Sequence, residues 1–167
     1  MNIQQQHILG NNMLGVLMYL FKNHMQSDCR LYGSPKKLTN ELQQIGFKKI
    51  AINKAFNWLA ELSVLQYNVT YNPPHKKTMR IYSTDECKKI GRNGLNFIAS
   101  LERMGILSCA TRELVISQVM QLEHPRVTVN QIKWVTLMVL FNQKDQYHAL
   151  LCMEYLVLNE NRENTIH

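Results

Sequence analysis

The stretch YNVTYNPPHKKTMRIY, residues 67–82, decides the fold of this chain. Gln66 to Tyr71 and Thr78 to Tyr82 are rich in aromatic and β-branched residues, and Asn72-Pro73-Pro74-His75-Lys76-Lys77 between them has turn chemistry. The pattern predicts a β-hairpin with a basic tip. An isolated hairpin is marginal in water, so this one is expected to lean on its neighbours.

Those neighbours read as helices. Upstream, Leu14, Leu17, Met18, Phe21 and Met25 recur at helical spacing and predict a first helix over about Met13 to Gln26. Ser34 before Pro35 is an N-cap followed by the proline favoured at the first helical position. Leu38, Leu42 and Ile45 then form one face before Gly46 stops the helix. Ile52, Ala55, Phe56, Leu59 and Leu62 mark a third helix to about Val64, with Trp58 beside its apolar stripe. The second and third helices, joined by a tight glycine turn, have the helix-turn-helix form. Three helices and a hairpin predict a winged helix-turn-helix over residues 13–82.

Downstream, Ser83-Thr84-Asp85-Glu86 is a capping box whose acids suit the positive end of a helix. The helix it opens carries Cys87, Ile90, Leu95, Ile98 and Leu101 towards Gly105. Gly91 and Gly94 inside it mark either a break or a close approach. A fifth helix over about Thr111 to Leu122 turns Leu114, Val115, Val119 and Leu122 inward. Thr128-Val129-Asn130-Gln131 is a second capping box and opens a sixth, apolar almost all round from Ile132 to Phe141 and so expected at the centre of the second half. A seventh is expected over Asp145 to Leu158. The fold class is therefore mainly α: a winged helix-turn-helix-like N-terminal half with one β-hairpin, packed on a C-terminal helical bundle. Its parts are a flexible extension (1–12), the winged domain (13–82), a four-helix domain (83–160) and a flexible tail (161–167). Met18, Phe21, Trp134, Met138 and Phe141 read as core.

Several function classes fall away. MNIQQQHILGNN opens polar, which argues against a secretory signal and for a cytoplasmic protein. Ile132 to Phe141 would span about 15 Å as a helix, half a hydrocarbon core, so no membrane association is expected. Cys29, Cys87, Cys109 and Cys152 lie far apart with no CxxC, and are expected to be reduced, buried thiols. His7, His24, His75, His124, His148 and His167 are scattered without an HExxH. No nucleophile with its base, carboxylate pair, phosphate-cradling loop, metal set or cofactor motif is legible, and the chain reads as non-enzymatic.

Charge carries the functional reading. The formal net charge is +7, with ten Lys and Arg against three acids in residues 1–82 and nine of each in 83–167. All the excess lies in the first half, which makes a polyanion a candidate partner. Lys48, Lys49 and Lys54 on the third helix, with His75, Lys76, Lys77 and Arg80 on the wing, are expected to meet phosphates on either side of a groove. Asn53 and Asn57 are the amide candidates for base edges. The reading is of weak, little-specific binding to duplex DNA. The competing one is a protein-docking module, with the winged helix and the bundle as scaffold.

MLGVLMYLF at 13–21, AFNWLAEL at 55–62, MRIYSTDEC at 79–87, TRELVISQVMQLE at 111–123 and IKWVTLMVLFNQ at 132–143 together resemble the bacterial Smg protein family from Met13 to the C-terminus. The resemblance implies a small cytoplasmic protein of unassigned activity, its genes often near DNA-processing genes, with no catalytic or binding residues to carry over. Members typically begin at the equivalent of Met13, so residues 1–12 are either a local extension or lie upstream of the true start.

Overall fold

The computed structural model describes residues 12–24, 34–69, 80–143, 151 and 153, with the backbone alone for 66–69. Six helices occupy the described residues: α1 (Met13–His24), α2 (Pro35–Ile45), α3 (Lys49–Val69), α4 (Thr84–Arg103), α5 (Cys109–Met120) and α6 (Val129–Phe141). Leu151 and Met153 are helical as well. None of the described helices is long and apolar enough to cross a membrane. The chain forms two compact units, Met1–Glu61 and Leu62–His167, the division falling within α3.

In the first unit, α1 starts where Asn12 Oδ1 accepts the Gly15 amide at 2.9 Å, a side-chain cap on an otherwise orphaned donor. Leu14, Val16, Leu17 and Leu20 are buried, while Met18 and Phe21 are only half-buried. α2 begins as its sequence dictates: Ser34 accepts from the Lys37 amide and Pro35 occupies the first position. It ends on Gly46, whose φ of 106° lets Gly46 N–H reach Gln43 O and Phe47 N–H reach Leu42 O, both at 3.0 Å. α1 and α2 are tied by one carboxylate. Glu41 Oε1 accepts from the Tyr19 hydroxyl and lies against His24 Nε2, each at 2.9 Å. Burial, then the hydrogen bond to Glu41, pushes the Tyr19 phenol up to about 12. In α3, Ala51, Ile52, Ala55 and Trp58 are buried, so Trp58 belongs to the inward stripe rather than beside it.

The expected hairpin is overturned. Of the first strand, read over Gln66 to Tyr71, Gln66 to Val69 continue α3 as helix. Of the second, read over Thr78 to Tyr82, Arg80 to Tyr82 are irregular, and the described residues contain no strand. Residues 70–79, the Asn72–Lys77 tip among them, lie outside the described residues. With the hairpin goes the winged helix; the mainly α class stands. The physical reason is cooperative: once α3 is nucleated, each further residue adds a hydrogen bond for little backbone entropy. Tyr, Asn and Val give up only about 0.7 kcal/mol or less each to better helix formers. Strand propensity, by contrast, reports how a side chain packs on a sheet, and without a partner strand it has nothing to act on.

In the second unit α4, α5 and α6 pack against one another pairwise. α4 opens on the expected capping box, Ser83 Oγ accepting from Glu86 N at 3.2 Å and Ser83 N donating to Glu86 Oε2 at 2.7 Å. Its two internal glycines have separate causes. Gly91 breaks the helix with φ 70° and ψ 166°, backbone territory left almost wholly to glycine. The break leaves the Lys89 carbonyl to accept Val127 N at 2.9 Å. Gly94 is a close approach, since a Cβ there would stand 2.6 Å from Ile132 Cδ1 and 2.7 Å from Ile90 Cγ2. α6 is buried without interruption from Ile132 to Leu140, Trp134 and Met138 included, and Phe141 is half-buried. Its buried Thr136 hydroxyl donates to Ile132 O at 2.8 Å, and Lys133 Nζ lies 5.5 Å from the centre of the Phe97 ring. Cys87 is exposed and Cys109 half-buried, so Cys87 is not the buried thiol expected; Cys29 and Cys152 lie outside the described residues.

Candidate nucleic-acid interface

α3 positions the residues singled out from the sequence. Burial of Ala51, Ile52, Ala55 and Trp58 fixes the rotation of the helix, which leaves Lys49, Ile50, Asn53, Lys54 and Asn57 on the exposed side of its first turns. Ile50 is 68% exposed. Lys48, also exposed, sits just before the helix. No acidic residue occurs between Glu41 and Glu61, so this surface is cationic by composition.

Sequence reasoning passed over two further exposed lysines of the first unit. Lys36 and Lys37 are exposed in the first turn of α2. The signal was present in Ser34-Pro35, which fixes where that turn begins. α2 has 11 residues, so its lysines lie about 16 Å along the helix from the turn that leads into α3. Neither α2 nor α3 has an acid in its first turn. Lysine at a helix start opposes the dipole by roughly 0.3–1 kcal/mol per charge. α4 does the opposite and places Asp85 and Glu86 there.

The wing residues do not add to this set. His75, Lys76 and Lys77 lie outside the described residues. Arg80 belongs to the second unit and is engaged by carboxylates. Its Nη1 and Nη2 donate to Glu86 at 2.9 and 2.7 Å, and its Nε donates to both Glu113 oxygens at 2.8 and 3.0 Å. The Tyr82 ring lies under the guanidinium, 4.7 Å from its carbon. Arg80 in turn holds the Glu86 carboxyl down at about 2 and is itself held more firmly protonated than a free arginine.

The network runs on into the bundle. Glu113 Oε1 also accepts from Arg112, 7% exposed, whose Nη1 donates to both Glu102 oxygens at 2.7 Å. The Cys109 thiol donates to Glu102 Oε1 at 3.3 Å. Burial pushes the Glu102 and Glu113 carboxyls up, but the guanidinium hydrogen bonds prevail and both end below the ordinary range. Lys89 caps α5, donating to Met120 O and Leu122 O at 2.7 and 2.6 Å. An open depression at the Gly91 break, lined by Arg92, Asn93 and Thr128, borders the start of α6, where the Gln131 amide is taken by Thr128 Oγ1. Among the described residues no three His, Cys, Asp or Glu side chains gather as a metal-binding set.

Residues 13–167 match a family described as "Protein of unknown function (DUF494)". A Protein Smg homolog of Coxiella burnetii (strain Dugway 5J108-111) is 43% identical over 149 residues, covering 89% of this chain and 94% of the relative. That of Idiomarina loihiensis is 41% identical over 152 residues, covering 89% and 96%. That of Thioalkalivibrio sulfidiphilus is 35% identical over 152 residues, covering 91% and 96%. No solved structure matches the chain. With its family match spanning all but the first twelve residues, and relatives aligned along nearly their whole length, the chain belongs to the Smg protein family.

Proposed function

We propose that the chain is a non-enzymatic, nucleic-acid-associated protein that holds duplex DNA through the exposed lysines of α2 and α3, with little sequence specificity. One observation carries the reading. Two helices of the first unit, α2 and α3, begin with lysines where their own dipoles favour acids, while α4 in the second unit begins with Asp85 and Glu86. A chain that follows the stabilising rule in one place and breaks it in another points to an external anion at the second place. Phosphate is the anion that suits several lysines spread over a helix-sized surface. A cytoplasmic location belongs to the same proposal, since that is where a bacterial protein meets DNA.

The exposed Ile50, 68%, favours a second reading in which the start of α3 is a docking face for a protein partner. Fluorescence anisotropy with a short duplex separates the two. The DNA reading expects binding at low salt that weakens roughly 10²-fold between about 50 and about 200 mM, the slope of three to five phosphate contacts. No binding at low salt would overturn it and leave the docking face.

A further inference from the structure

The exposed side of α3 has a composition that goes beyond charge. Asn53 and Asn57 are four residues apart, one turn of helix and about 6 Å along its axis, close to two base-pair steps. Both lie within the first nine residues of α3. Ile50, one turn before Asn53 and Lys54, adds an exposed aliphatic group, with Lys49 and Lys54 on either flank.

Each group has a match on a base edge. A carboxamide carries an acceptor and a donor side by side and pairs with adenine N6 and N7 in the major groove, whereas guanine offers two acceptors there and calls for a cationic fork. The sequence has no arginine between Arg30 and Arg80, so α3 lacks that fork. The stretch is also without acids from Leu42 to Ala60, and so lacks the acceptor that reads cytosine. An aliphatic side chain matches the thymine methyl. The major groove of B-form DNA admits a helix, while that of A-form RNA does not.

Resting on the nucleic-acid reading above, we infer that α3 enters the major groove of B-form DNA and prefers A·T pairs, with Asn53 and Asn57 on adenine edges and Ile50 against thymine methyls. The preference is local and defines no extended site.

The test is competition anisotropy with three short duplexes, one A·T-rich, one G·C-rich and one built on inosine·cytosine pairs. Inosine·cytosine reproduces the A·T minor groove but presents the G·C pattern in the major groove. The expected result is an A·T preference of about tenfold over both others. The double substitution Asn53→Ala and Asn57→Ala should erase it, bringing the three duplexes to equal affinity. Equal binding of all three duplexes, or inosine·cytosine bound as well as A·T, overturns the inference and leaves the lysine-based reading intact. Binding of none of them overturns both.

Discussion

Five lysines of the first unit and four cations of the second have different fates. Lys36, Lys37, Lys48, Lys49 and Lys54 stand on the surface at helix starts. Arg80 and Arg112 turn to Glu86, Glu102 and Glu113, Lys89 turns to the carbonyls that end α5, and Lys133 lies 6% exposed against Phe97. The residue types are the same, but the charge of these four is spent on holding helices together, whereas Lys88, Arg92, Arg103 and Arg126 of the same unit are exposed. A count of Lys and Arg does not separate the two roles; burial does.

The comparison can be broken most forcefully at Arg112. Arg112→Ala leaves Glu102 and Glu113, side chains 28% and 47% exposed, without their shared guanidinium. Because those carboxylates keep some water, the expected loss is about 2–3 kcal/mol, below that for a fully buried pair, read from denaturant unfolding. A loss under about 0.5 kcal/mol, the scale of a neutral surface change, would place Arg112 with the surface lysines.

Acid titration gives the next effect. Glu86 falls from 4.5 to about 2 on folding, held by Arg80. A carboxyl whose folded value is depressed contributes stability that is complete above its unfolded value and is lost as pH falls towards the folded one. Stability should therefore decline between about pH 4.5 and pH 2, and Arg80→Ala should flatten that decline. An unchanged acid limb in Arg80→Ala would mean that the pairing does not hold in solution.

The smallest effect has the opposite sign. Lys49→Glu at the first position of α3 should leave stability unchanged or raise it by up to about 0.5 kcal/mol, because it replaces a charge that opposes the dipole with one that favours it. Calorimetric melting reads this. A loss above 1 kcal/mol would show that Lys49 has a structural role and belongs with the inward cations.

The helix ends were legible in the sequence because caps are local chemistry. Ser34-Pro35, Gly46, Ser83 with Glu86 and Thr128 with Gln131 act over three or four residues, and each sits where its own neighbours put it. Ile132–Leu140 was legible as a buried run for a similar reason, since a helix apolar on every side has no face to give to water. The 66–69 strand misled because its signal presumes a partner strand, whereas the helix before it needed none. Arg80 could not be placed from its neighbours, since Glu113 lies 33 residues away and only the packing of α4 against α5 brings it near. The lysines of α3 and its amides were legible as an exposed set because the apolar stripe fixes the opposite face.

The separation of roles is measured most directly by the slope of log affinity against log salt for a short duplex, compared between Lys49→Ala and Arg80→Ala. Each phosphate contact contributes about 0.9 to that slope, so Lys49→Ala should flatten it by about one unit and Arg80→Ala should leave it unchanged. A slope lowered by Arg80→Ala and untouched by Lys49→Ala would contradict the account at its centre.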